Sequence, residues 1–341
     1  MKKALFLTIG LLIIFISTAC QAPPTEATNN DGIKIAHDKS ADINMISVTN
    51  VLYASYKNIK QTMKSTKCNL NIDATVFVPS ADALHTGTLK VDSLNKEKTA
   101  EVFFGDTHDL KKRETADGKP EWLIPNSKLP LGCSKIISFD GDYGFMYSDY
   151  VIDTKYNDVQ TYKNGETAPN TAMSPKEAKD KAIDIIHELP DAKNRDYRVS
   201  SILPCTAANG SLGLYDMQCR MTIDNCSIIG DGVDIPIVAT MITDDGVMNF
   251  SANGFLNSEK GSEISKIISL DSALEICRSK LGAELIVGNS ATVKAIELCY
   301  IAKNDNGTIR YTPAWYFSFY NDVFSGSGFY INAQTGELTT I

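Results

Sequence analysis

Two stretches of the 341-residue chain, separated by about ninety residues, repeat one grammar of helix and strands, and this duplication limits the fold more than any other feature. The first opens at Ser174 with "SPKEAKDKAIDIIHEL". Pro175 stands at the first helical position and Glu177 three residues after the cap, which is a capping-box start. Ala178, Ala182, Ile185 and Ile186 then line one face, and His187 closes the helix where a cation is favoured. Strand-like runs follow: "YRVSSIL", "LGLYDMQCRMTI", "IPIVATMI" and "DDGVMNFSANGF", the last with a turn at Asp245-Gly246. The second stretch opens with "SLDSALEICRSKLG", capped at Ser269 or Asp271, apolar along Ala273, Ile276, Cys277 and Leu281, and closed by Gly282. After it come "ATVKAIELCYIA", a hairpin turn at Asp305-Asn306-Gly307, "TPAWYFSFY" and "SGFYINAQTGELTTI". Each stretch predicts a helix laid across one face of a small antiparallel sheet.

The first half is less regular. Residues 46–63 predict an amphipathic helix, with Val48, Val51, Leu52, Ser55, Tyr56, Ile59 and Met63 at helical spacing. "CNLNIDATVFVP" alternates as a strand should and stops at Pro79. "GTLKVDSL", "AEVFF", "KIISF" and "YGFMYSDYVI" predict further strands, separated by turns at Asp117-Gly118 and Asp140-Gly141. The predicted fold class is therefore α+β, with mostly antiparallel sheets each crossed by a helix and a duplicated helix-plus-strands unit in the C-terminal half. The expected divisions are 1–19, a signal peptide; 20–43, a flexible tether; 44–171, an N-terminal α+β domain; and two repeats at 172–260 and 261–341.

The N-terminus reads as an address. Lys2 and Lys3 precede a nearly unbroken apolar stretch from Ala4 to Ile16, then Ser17, Thr18 and Ala19, then Cys20. That stretch is shorter than the roughly 20 residues a hydrocarbon core requires. The order predicts cleavage before Cys20, lipid attachment at Cys20, and a body anchored to the cell membrane on its extracytoplasmic face. "QAPPTEATNNDG" has the polar, proline-containing character of a tether. Losing residues 1–19 removes two lysines and no acid, carrying the net charge from −8 to −10. A body so acidic has no electrostatic basis for holding phosphate, so nucleic acid is not an expected partner. Hydrophobic residues at 43% and charged residues at 22% describe a globular composition.

Seven further cysteines remain: Cys68, Cys133, Cys205, Cys219, Cys226, Cys277 and Cys299. Export permits disulfides, with Cys219 and Cys226 able to meet across a hairpin; burial as small apolar side chains is the other reading. No Cys-x-x-Cys occurs, and His37, His85, His108 and His187 are scattered, so no metal site and no cofactor is expected. Asp140, Asp142 and Asp149 in "FDGDYGFMYSD" fail the calcium-loop spacing and read as a turn. Gly-x-Ser-x-Gly, His-Glu-x-x-His and phosphate-cradling glycine loops are all missing, and no pair of carboxylates stands out as glycosidase acid and base. Trp315, Phe317 and Phe319 alternate with Tyr316 and Tyr320 along one strand. Such a strand either fills a core or floors a binding groove; in the second case Trp315, Tyr316 and Tyr320 form the candidate binding strand.

"SLDSALEICRSKLG … IELCYIA … TPAWYFSFY … YINAQTGEL" resembles the PepSY-type repeat, including its variant in the YycH/YycI-type regulators of a membrane sensor kinase. The similarity covers residues 268–341 well and 172–256 in outline. The whole mature chain resembles a family of uncharacterised lipoproteins, a domain of unknown function, from low-GC Gram-positive bacteria. The resemblance implies a membrane-anchored extracytoplasmic lipoprotein that is a non-enzymatic module for binding or regulating a membrane protein or peptide. A cell-envelope glycan hydrolase and a solute-binding lipoprotein are the alternatives, distinguished by two convergent carboxylates in the first and two parallel α/β lobes in the second.

Overall fold

The computed structural model describes residues 44–105, 110–129, 131–156, 159–161, 167–207, 210, 212–288, 290–321 and 327–341. In chain order the first strands are β1 (Met45–Ser47), β2 (Ile59–Lys64), β3 (Asn69–Phe77), β4 (Leu84–Asp92), β5 (Lys111–Glu114), β6 (Pro120–Pro125), β7 (Cys133–Asp140), β8 (Gly144–Asp149) and β9 (Gln160–Thr161). They are followed by β10 (Asp196–Thr206), β11 (Gly213–Ile223), β12 (Cys226–Asp231), β13 (Ile237–Thr243), β14 (Gly246–Ala252) and β15 (Phe255–Ile264). The last are β16 (Lys266–Ile268), β17 (Ser290–Asp305), β18 (Thr308–Ser318), β19 (Gly328–Asn332) and β20 (Leu338–Thr340). The helices are α1 (Val48–Leu52), α2 (Lys96–Phe104), α3 (Tyr150–Asp153), α4 (Pro175–Glu188) and α5 (Leu270–Lys280).

This architecture corrects the α+β expectation. Strands make up 52% of the described residues and helices 16%, and the sheet is large and mixed rather than a set of small sheets each crossed by a helix. Apart from the β1–β16 pair, every described strand belongs to one connected network of ladders. One arm runs β5-β6-β7-β8-β14-β13-β11-β10-β9, antiparallel throughout. The other is built on β17, which has β18 along one edge and, on the other, β3 and then β12 in parallel. Strand β18 in turn carries β4 and β19, with β15 beyond β4 and β20 beyond β19. The hairpin of β11 and β12 joins the two arms. No described ladder returns to its start, so the network branches and stays open.

The duplicated units do not stand as modules of their own. Helix α4 is followed by the ladder β10-β11-β13-β14 and α5 by β17-β18-β19-β20, but β14 continues into β8, and β17 is flanked by β3 and β12. A helix of one turn per few residues buries a narrow stripe, whereas these sheets need cover on wide faces. Neighbouring strands from elsewhere in the chain therefore take part, and the helices become accessories.

Two local expectations also change. Residues 46–63 form β1, α1, a break after Tyr53, and then β2, not one helix. From Ile59 onward the same apolar positions satisfy strand alternation, with Met63 buried and Lys60, Thr62 and Lys64 outward. Conversely "AEVFF" lies within α2, which Asn95 caps by accepting the Lys98 N–H at 3.1 Å. Ala100, Phe103 and Phe104 meet the core at helical spacing, and this burial outweighs the strand propensity of Val-Phe-Phe. Helix α4 begins as its residues require: Ser174 and Glu177 form a reciprocal capping box, and Pro175 occupies the first turn. Helix α5 is capped by Ser269, which accepts the Ser272 N–H.

Two main apolar cores result. The first gathers α5, β3, β17, β18 and β19 around Trp315, Phe317, Leu298 and Tyr300. The second packs α2 and α4 onto β7, β8, β11, β13 and β14 around Phe103, Phe145, Tyr215 and Phe250. Strand β11 crosses from one to the other: Tyr215, Met217 and Cys219 belong to the second core, Met221 and Ile223 to the first. Trp315 is wholly buried, its indole N–H donating to the Ile268 carbonyl at 3.0 Å and its ring edge-on to Tyr56. Trp315→Ala is expected to cost roughly 3–5 kcal/mol, read from urea unfolding, with most of the loss recovered in Trp315→Phe.

Candidate functional site

Asp224-Asn225 forms the two-residue turn of the β11–β12 hairpin with both residues in the left-handed region, φ being 52° and 58°, as Asn306-Gly307 does between β17 and β18. Asp and Asn tolerate that conformation and give the turn that matches strand twist. The turn projects from the β11–β12 hairpin onto the other arm of the sheet. There the Asp224 carboxylate, with its side chain only 6% exposed, accepts three hydrogen bonds. Lys260 Nζ of β15 lies 2.6 Å from Oδ1, while His85 Nδ1 of β4 and the Tyr300 hydroxyl of β17 lie 3.0 and 2.7 Å from Oδ2. The His85 backbone N–H donates to the Tyr300 hydroxyl oxygen at 2.9 Å, closing a small ring of bonds. Asn225 anchors the same turn by donating to the Ser80 carbonyl at 2.6 Å. Burial alone would raise the Asp224 carboxyl, but the bonds from Lys260, His85 and Tyr300 and the Lys260 charge outweigh it and hold it below the usual carboxylate value.

Two clefts flank this cluster and share Lys260. The first, about 410 Å³, lies under the turn that follows α4; Lys193, Asn194, Arg195 and Asp196 form one side, Thr222 and Asp224 another, and Asn257 and Lys260 a third. Its ionic groups are largely engaged: Arg195 pairs with Asp92, and Asp191 accepts the Asn95 N–H at 2.9 Å. The second, about 510 Å³, lies where β4, β15 and β18 meet.

Sequence reasoning did not find this site. Its members come from three separated strands and a turn, and only the Asp-Asn pair carried a local signal. Of the two described histidines, His85 is the one with a carboxylate partner. His187, in the last turn of α4, donates from Nε2 to the Arg195 carbonyl at 3.2 Å, tying the helix end to the turn before β10 rather than capping its last carbonyls. His37 and His108 lie outside the described residues, as do Cys20, the whole of 1–19 and the tether up to residue 43.

The residues proposed as a binding strand are placed otherwise. Trp315 and Tyr316 are both fully buried, on opposite faces of β18, Trp315 in the first core and Tyr316 in a smaller one with Cys299, Ile301 and Tyr330. Neither floors a groove, because both faces of this part of the sheet are covered. Tyr320 is 55% exposed and lies beyond the end of β18. The three aspartates of "FDGDYGFMYSD" do not converge: Asp140 and Asp142 pair with Lys119 and Lys96, and Asp149 caps α3 by accepting the Val151 and Ile152 N–H groups.

All seven body cysteines are free and buried. Cys219 lies four residues before Ile223, the partner of Cys226 across the hairpin, and belongs to the second core while Cys226 belongs to the first. Burial pushes the Cys205 thiol up to about 11 and that of Cys219 up to about 12, and raises Cys226, Cys277 and Cys299 well above the ordinary value. Such thiols form little thiolate at neutral pH and are poor nucleophiles. Their burial also shuts out reagents, so a thiol-reactive chromophore is expected to leave these seven unmodified in the native protein and to reach all of them after denaturation in guanidinium.

Asp224→Asn keeps a residue suited to the left-handed turn while removing the charge, and is expected to cost about 3 kcal/mol of unfolding free energy. Because the folded carboxyl is depressed, its contribution is present above the ordinary carboxylate value and is lost as pH falls through the lower folded value. The variant's acid-unfolding limb is thus expected to be shallower than the wild type's, measured by circular dichroism from pH 7 to 2.

No family model and no curated relative matches the chain. Among solved structures, that of an uncharacterised protein from Eubacterium rectale is similar, with a TM-score of 0.54 at 16% identity, covering 83% of this chain and 93% of that one. At that identity the likeness is one of fold.

Proposed function

We propose that the chain is a membrane-anchored extracytoplasmic lipoprotein, lipidated at Cys20, whose body is a non-enzymatic module that binds a membrane protein or peptide partner. The observation that carries the anchor is the order of the first twenty residues: two lysines, an apolar run, three small residues and a cysteine. Burial of the other seven thiols makes them poor candidates for modification.

Support for binding rather than catalysis comes from the Asp224 cluster. Its carboxylate is already occupied by His85, Lys260 and Tyr300, an arrangement that holds strands together and leaves little capacity to move a proton. A glycan hydrolase needs two convergent carboxylates with opposed roles, and of the three aspartates lining the first cleft Asp224 and Asp191 are engaged in structural bonds, which leaves Asp196 without a second free carboxylate to work with. The cleft's mixture of amide, hydroxyl and paired ionic groups suits a polar peptide segment presented by a partner.

Cys20→Ala is expected to move the protein from the membrane fraction to the soluble fraction and to abolish labelling by a palmitate analogue. Retention of label in the variant would refute the anchor. Crosslinking on intact cells with the lipidated protein is expected to capture one dominant membrane partner, and Lys193→Glu combined with Asn194→Ala to reduce that capture several-fold. Equal capture by the variant would remove the first cleft from the interface.

A further inference from the structure

Strand β18 changes partner in mid-course. Over Ile309–Tyr311 its free edge pairs with β4, and from Ala314 the same edge is taken by β19. Beside this fork β15 carries a bulge between Lys260 and Glu263, so Gly261 and Ser262 stand out of register opposite Thr86. The second cleft opens there, lined by the hydroxyl-bearing side chains of Thr86, Thr88, Ser262 and Thr312, with Gly87 and Tyr311 at its base.

Tyr311 is the unusual member. Its side chain is fully buried, its ring packs edge-on to Tyr300 at 4.9 Å, and its hydroxyl has no hydrogen-bond partner among the described residues. Burying a hydroxyl without a partner is unfavourable, so a buried one beside a cleft marks a place where something else completes the bond. The hydroxyl fits only because residue 87 is glycine: a Cβ there would stand 2.4 Å from the Tyr311 hydroxyl oxygen and 2.6 Å from Cζ. The Tyr311 ring thus fills the space a side chain at 87 would take, which sets its unpaired hydroxyl against the Gly87 backbone where both residues line the cleft.

The lining also restricts the ligand's charge. Both cations at the cleft are neutralised, Lys260 by Asp224 at 2.6 Å and Arg310 by Asp305 at 2.8 Å. A ring of hydroxyls and threonine methyls around one buried phenol, with no spare positive charge and with the exposed Glu259 carboxylate at hand to accept from ligand hydroxyls, matches a neutral ligand carrying hydroxyl groups on an apolar carbon skeleton. We propose that this fork is a binding site for a neutral saccharide, with the Tyr311 hydroxyl as its buried hydrogen-bond partner. The site adjoins the first cleft at Lys260 but does not depend on the protein partner assigned above.

The test is calorimetric titration of the full chain, extracted in detergent with its native lipid, against chitotetraose and cellotetraose. Saturable binding of at least one is expected, weakened about three- to tenfold in Tyr311→Phe, the range one neutral hydrogen bond supplies. Because that substitution removes an unpartnered buried hydroxyl, the variant's Tm is expected to equal or exceed the wild type's. Absence of saturable binding to both sugars overturns the proposal, as does unchanged affinity in Tyr311→Phe. Loss of binding together with a lowered Tm assigns the hydroxyl to the fold and overturns it equally.

Discussion

The contact that the two arms of this molecule depend on is the Asp224 carboxylate with its three donors. One arm is an antiparallel run of nine strands and the other a branched sheet around β17; the β11–β12 hairpin is what they share. At the tip of that hairpin a nearly buried negative charge is held by groups from β4, β15 and β17. A charge in such a place is tolerable only when its lone pairs are filled, and here they are filled by three strands of the other arm, which ties the hairpin tip to that sheet. The attraction is directional, unlike the apolar packing on either side, and so it fixes where the hairpin lands.

Around that tie the molecule manages a problem of covering. Strand β17 is sixteen residues long, and its burial is nearly continuous from Val293 to Ala302, so both of its faces must be shielded. Helix α5 and β19 supply part of the cover for the first core, and a second, smaller cluster forms on the opposite face around Tyr316 and Cys299. The aromatic strand β18 is consumed by this demand. What remains for recognition is the rim where strands change partners, and both clefts lie there, each touching Lys260.

The same demand explains which elements could be read from the residues. The α4 start depends on three side chains within four positions, so Ser174, Pro175 and Glu177 announce it without help from the rest of the chain. The α5 cap and the turn at Asp305-Asn306-Gly307 are equally local. Residues 46–63 and "AEVFF" misled because apolar spacing over a short window satisfies either period, and the choice between them belonged to the surface each segment meets.

The sequence by itself determined the helix caps, the tight turns, the alternation within strands and the chemical order of the first twenty residues, because each rests on neighbours within a few positions. Only the tertiary structure decided that the strands join into one branched, mixed network, that Trp315 and Tyr316 serve the core, and that Asp224, His85, Lys260 and Tyr300 converge. Those outcomes rest on which distant surface covers which face, and parallel pairings such as β3 with β17, more than two hundred residues apart, leave no local trace.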